Sequence, residues 1–133
     1  IMNKEKAINL VKEFLSDRLC NEEWYKKIDD HIKAILLYGS VAKGTNRPDS
    51  DVDVLIILPL EFEEKYTIGE YSYLFRGQAI NIVLRSIERL RKLTHTQRDD
   101  FQAEVFRDSE IIWQRDNEAI ELIGKIVVKG LKQ

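Results

Sequence analysis

The chain has 133 residues, the length of one ordinary domain and short for two. Hydrophobic residues are 44% and charged residues 33%, a soluble globular balance, and 21 basic against 23 acidic side chains leave a net charge of −2. This excludes the positive excess on which bulk nucleic-acid binding rests. The single Cys20 excludes an internal disulfide, and no apolar run nears the roughly 20 residues of a membrane span, so a cytoplasmic protein is expected.

In chain order, Ala7, Ile8, Val11, Phe14, Leu15 and Leu19 recur at helical spacing and predict a first helix over about residues 4–20. Trp24, Tyr25 and Ile28 suggest a short helical turn. Ile32 to Tyr38 is an apolar run closed by Gly39, which reads as a buried strand. A tight turn and one helical turn follow, then Thr45-Asn46-Arg47-Pro48-Asp49-Ser50, rich in turn formers. Asp51 to Leu58 reads as a second strand. Tyr66 to Phe75 and Gln78 to Leu84 form a predicted hairpin about Arg76-Gly77. Ser86 can cap a helix carrying Ile87, Leu90 and Leu93. A helix over Asp100 to Phe106, a strand over Glu110 to Gln114 and a closing helix over Asn117 to Leu131 complete an α/β (α+β) domain. With no repeat, low-complexity stretch or linker, residues 1–133 are read as one domain. Trp24, Trp113 and Tyr38 are expected in the core. Arg85, Arg89 and Lys92 are expected on one wet helical stripe, and Glu63-Glu64 at the solvated surface.

The chemistry concentrates between Leu36 and Leu55. A strand running into Gly39 and then a helical first turn offers unpaired N–H groups to phosphate, with the Ser40 hydroxyl beside them. Lys43 and Arg47 can add positive charge. Asp51 and Asp53, two apart on a strand, share a face with backbones roughly 6–7 Å apart and can converge on one cation. A lone Gly-Ser is usually a turn, and a lone Asp-x-Asp a solvated strand end; the joined pair is far more specific. Gly39 to Gly44 also has the glycine spacing of a P-loop, but Thr45 stands where that loop needs lysine.

Gly39-Ser40, Gly44 and Ser50-Asp51-x-Asp53 resemble the signature of the DNA polymerase beta-like nucleotidyltransferases. The short chain looks most like the minimal nucleotidyltransferases (MNT) that partner HEPN proteins. The resemblance implies a small mixed sheet with helices packed mainly on one side. It implies metal-dependent transfer of a nucleoside monophosphate, AMP from ATP, to a hydroxyl. By that carry-over Gly39 and Ser40, aided by Lys43 and Ser50, hold the triphosphate, and Asp51 and Asp53 bind Mg²⁺ or Mn²⁺. A HEPN partner, as in a toxin–antitoxin pair, and a homodimer are further expectations.

The family's third acidic position falls on Asn81, which cannot act as a base and is a weaker, neutral ligand. A two-residue turn at Arg76-Gly77 puts Ser72 opposite Asn81. Glu70, Ser72, Asn81, Val83 and Arg85 then lie on one face, and Tyr71, Tyr73, Ile80, Ile82 and Leu84 on an apolar one. Glu70 is the candidate substitute for the absent carboxylate, against the plainer reading of a solvated strand residue, and Arg85 is a candidate phosphate contact. The rival functions are a catalytically impaired nucleotide- or partner-binding module and an antibiotic nucleotidyltransferase.

Overall fold

A computed structural model describes residues 1–67, 71–95 and 100–131. Helix α1 (Lys4–Asp17) is capped by the Asn3 side chain, which accepts from the Lys6 N–H. A 3-10 turn, helix α2 (Glu23–Ile28) and a second 3-10 turn lead to β1 (Ala34–Tyr38). Helix α3 (Gly39–Lys43) follows directly and ends at Gly44, whose φ of 77° terminates it in the left-handed region. Strand β2 (Val52–Leu58), helix α4 (Leu60–Tyr66) and the hairpin of β3 (Tyr71–Phe75) and β4 (Gln78–Ser86) come next. The chain closes with α5 (Ile87–Leu93), α6 (Asp100–Arg107), β5 (Glu110–Gln114) and α7 (Glu118–Leu131).

The strands form one mixed sheet in the order β3-β4-β2-β1-β5. β2 runs parallel to β4 and antiparallel to β1, with Asp53 between Tyr38 and Asn81. The hairpin register has Phe75 opposite Gln78 and Ser72 opposite Asn81, as the Arg76-Gly77 turn predicts. Both turn residues take positive φ, 52° and 79°, the backbone a tight hairpin turn demands.

The central strand explains the layering. Val54, Ile56 and Leu58 point to one face, where they join Ile80, Ile82 and Leu84 under Ala7, Val11 and Phe14 of α1, Ile28 of α2 and Val41 of α3. Leu55 and Ile57 point to the other, with Ala34 and Leu36, under Ile87 and Leu90 of α5, Phe106 of α6 and Ile123 of α7. Helices thus divide between both faces instead of gathering mainly on one. β1 and β2 are apolar at nearly every position, and each exposed apolar face would forgo burial worth about 25 cal/mol per Å².

Other differences from the sequence reading have local causes. Tyr66, expected to open a strand, instead closes helix α4; the Glu88 carboxylate accepts from the Leu60 N–H at 2.6 Å and satisfies the first turn of that helix. Glu63 is buried, not solvated, and accepts from Arg89 Nη1 at 2.9 Å. Arg85 belongs to β4, so it does not share a helical stripe with Arg89 and Lys92. Trp113 is 41% exposed because β5 is an edge strand; Arg115 lies over its ring. Trp24 is half-buried, stacked on Tyr71 at 3.9 Å, with its indole N–H donating to the Tyr73 hydroxyl at 2.7 Å. Among the described residues no helix is long and apolar enough to cross a membrane.

Candidate active site

The site forms where β1 ends, α3 begins and β2 enters the sheet. Gly39 has φ +81°, a conformation that L side chains rarely adopt. A Cβ added there would stand 2.3 Å from Asp53 Oδ2 and 3.2 Å from Asp53 Cβ. The space freed by glycine therefore receives the protein's own carboxylate. Ser40 follows at the start of α3, half-buried, and its carbonyl accepts from the Thr45 N–H at 2.9 Å to close the turn.

Asp51 lies just before β2 and is exposed, whereas Asp53 lies within the strand and is half-buried. Asn81 stands beside Asp53 in the β2–β4 register. Its Nδ2 donates to Asp51 Oδ2 at 2.7 Å, and the Ser72 hydroxyl donates to Asn81 Oδ1 at 2.6 Å. Two carboxylates and one carboxamide thus converge beside the Gly39-Ser40 turn. Among the described residues no group of three His, Cys, Asp or Glu could hold a metal ion, and the third side chain of this cluster is the neutral Asn81. All the candidate ligands here are oxygens, a set suited to a hard divalent cation that keeps waters and substrate phosphates as its remaining ligands.

Residues 22–118 match the protein family described as polymerase beta, nucleotidyltransferase. The chain belongs to the polymerase beta nucleotidyltransferase family. A Methanocaldococcus jannaschii protein, to which protein adenylyltransferase activity is ascribed, is 34% identical over 91 residues, covering 68% of this chain and 82% of that one. An aminoglycoside nucleotidyltransferase (4') of Staphylococcus aureus is 29% identical over 103 residues; the match takes in 73% of this chain but only 38% of that enzyme. A crystal structure of a toxin–antitoxin with AMP-PNP is 17% identical, covers 81% of this chain and 85% of that one, and has a TM-score of 0.41, a loose likeness of fold.

Within this nucleotidyltransferase domain the other sequence-predicted site residues are placed differently. Ser50 holds the loop: its hydroxyl accepts from the Arg47 N–H at 2.7 Å, and its carbonyl accepts from Gln78 Nε2 at 3.1 Å. Lys43 is exposed and lies 3.6 Å from Glu104 of α6. Arg85 is on the same strand face as Asn81 but sits opposite Ile57, about 13 Å further along β4. Its Nη1 donates to Gln102 at 3.0 Å, and among the described residues its buried Nε has no hydrogen-bond partner. Burial, with Arg89 nearby, lowers the pKa of this guanidinium from its ordinary value. Glu70 lies outside the described residues.

Sequence reasoning missed the chain of contacts from Ser72 through Asn81 to Asp51. The register sets Ser72 against Asn81, and this polar pair on the hairpin face opposite the apolar one was the available signal. It also missed Gln78 as the tether of the Ser50 loop, because that contact joins segments 28 residues apart. Two grooves lie away from the site. One of about 470 Å³ runs between Leu15, Tyr25 and Trp113, and the other lies beside α7.

Proposed function

We propose that this chain transfers AMP from ATP, with Mg²⁺ or Mn²⁺, to a hydroxyl on a partner protein: the hydroxyl oxygen bonds to the α-phosphorus, the α–β bridge breaks, and pyrophosphate leaves while the hydroxyl proton passes to solvent. The observation that carries the reading is the Asp53 carboxylate packed against Gly39, with Asp51 tied beside it through Asn81. The protein adenylyltransferase activity ascribed to the 34% identical relative supports a protein acceptor and the adenylyl group. A HEPN protein is the proposed partner, in the arrangement of a toxin and its antitoxin, and the proposed setting is the cytoplasm.

A divalent ion held by Asp51 and Asp53 would neutralise triphosphate charge and polarise the phosphoryl group under attack. Gly39 and Ser40 would cradle the triphosphate, the serine through its hydroxyl and the start of α3. Lys43, released from Glu104, would add a point charge, and Ser50 would act by holding the loop before Asp51. Arg85, whose Nε is unpartnered among the described residues, is the proposed contact for a more distant anionic group of the substrates. Asn81 has no lone acid–base function and would fix the Asp51 carboxylate through its amide. Rate enhancement would therefore come from in-line positioning and charge stabilisation, with no carboxylate at position 81 to take the acceptor's proton.

Asn81 also favours a second reading, in which the domain binds nucleotide and neutralises its partner by contact alone. Incubation of purified partner with ATP labelled at the α-phosphate separates the two. Label appearing on the partner with wild type and lost with Asp51→Asn/Asp53→Asn supports transfer. Full neutralisation by that double variant, without label, supports the contact module. Antibiotic modification is a third reading, after the aminoglycoside nucleotidyltransferase (4') that is 29% identical over 103 residues and is matched over 38% of its length.

A further inference from the structure

Helix α7 carries more apolar surface than the fold covers. Ala119, Ile123 and Ile126 are buried against the sheet. Ile120 and Val128 are 45% and 56% exposed, and Gly124 between them is exposed too. These three recur every four residues and form a single stripe. A glycine inside a helix costs about 1 kcal/mol relative to alanine. No atom lies within 4 Å of where a Cβ would stand at Gly124, so nothing among the described residues requires its absence.

The flank of this stripe is charged in a particular order. Glu121, Lys125 and Lys129 line a groove with Gly124 and Val128, opposite Thr94. None of the three forms an ion pair among the described residues, although their neighbour Glu118 is bound by Arg91 and Lys33. The acid is towards the helix N-terminus and the bases towards its C-terminus.

We infer that α7 is a self-association surface on which a second copy of this chain packs its own α7 antiparallel, with the two-fold axis at Gly124. Ile120 and Val128 are equidistant from residue 124, so each meets the other across the axis. The two-fold keeps both charged flanks on one side and reverses their order. At 1.5 Å rise per residue, Glu121 lies about 4.5 Å from the axis level, and Lys125 and Lys129 of the partner subunit lie about 1.5 and 7.5 Å from it in the same direction. Each glutamate thus falls between two lysines. Parallel pairing would carry the two charged flanks to opposite sides of the seam, where Glu121 meets neither lysine, and is disfavoured. The absent side chain at the crossing admits the close interaxial distance of well-packed helices, and antiparallel alignment opposes the helix dipoles favourably. A contact of a few turns is below the area of a strong interface, so the dimer is concentration-dependent, with affinity on the order of micromolar or weaker.

Sedimentation velocity of the full chain over a wide concentration series tests this. Wild type should pass from monomer to dimer. Gly124→Gln should stay monomeric while melting no lower, since glutamine favours helix. Glu121→Lys should weaken the dimer by about tenfold or more, and Glu121→Lys/Lys125→Glu/Lys129→Glu should restore it by reversing every pair. A wild type that is monomeric throughout, a Gly124→Gln dimer as tight as wild type, or indifference to the charge reversals would each overturn the inference.

Discussion

Asn81 neighbours Asp53 in the β2–β4 register, yet its amide nitrogen donates to Asp51 Oδ2 at 2.7 Å. The side chain at the position where the sequence resemblance expects a third acid therefore binds Asp51. A carboxylate at 81 could not make this contact and would add a third negative charge to the cluster.

For Asn81→Asp, the loss of the donor and the added repulsion should lower the melting temperature when chelator removes divalent ions. Mg²⁺ should then raise it by more than it raises wild type, and calorimetry should show metal binding at least about tenfold tighter. Equal Mg²⁺ responses in the two proteins would mean that position 81 takes no part in metal binding.

Gly39 and Gly77 provide a matched comparison. Both have φ near +80°, but a Cβ at Gly77 meets nothing within 4 Å, whereas one at Gly39 meets Asp53 Oδ2. Alanine at either position should lose stability through backbone strain, about 1 kcal/mol or more. Only Gly39→Ala should also displace the carboxylate, with adenylyl transfer falling about 100-fold or more while Gly77→Ala stays near wild type. Similar activities would remove the Gly39–Asp53 contact from the mechanism.

Alkaline pH should destabilise the fold through its tyrosines. Burial, with help from Asp29, pushes the Tyr25 phenol up to about 12 from an ordinary 10. Burial also raises Tyr71 and Tyr73, although the Trp24 indole opposes the shift at Tyr73. A raised folded-state pKa means that the unfolded chain loses its phenolic protons first. Stability is thus fully present below about pH 10 and declines from there towards 12. Denaturant unfolding at a series of pH values should show this fall, and Tyr25→Phe should make it shallower.

Glu63 and Glu64 are adjacent acids with opposite surroundings. Glu63 is buried and holds Arg89, while Glu64 is exposed. Glu63→Ala should cost about 1–2 kcal/mol in chemical denaturation, and Glu64→Ala less than about 0.5. Equal costs would show that the Glu63–Arg89 bond contributes nothing to folding.

The sequence by itself determined what depends on near neighbours. The strand–glycine–serine turn, the two-residue spacing of Asp51 and Asp53, and the Arg76-Gly77 turn that pairs Ser72 with Asn81 all follow from local backbone geometry. The tertiary structure alone decided which distant surfaces meet. It put helices on both sheet faces, buried Glu63, left Trp113 on an edge, and turned Asn81 towards Asp51. Periodicity tells which face of an element must leave water. Its burial partner is chosen by the packing of the whole chain, through contacts between residues far apart in sequence.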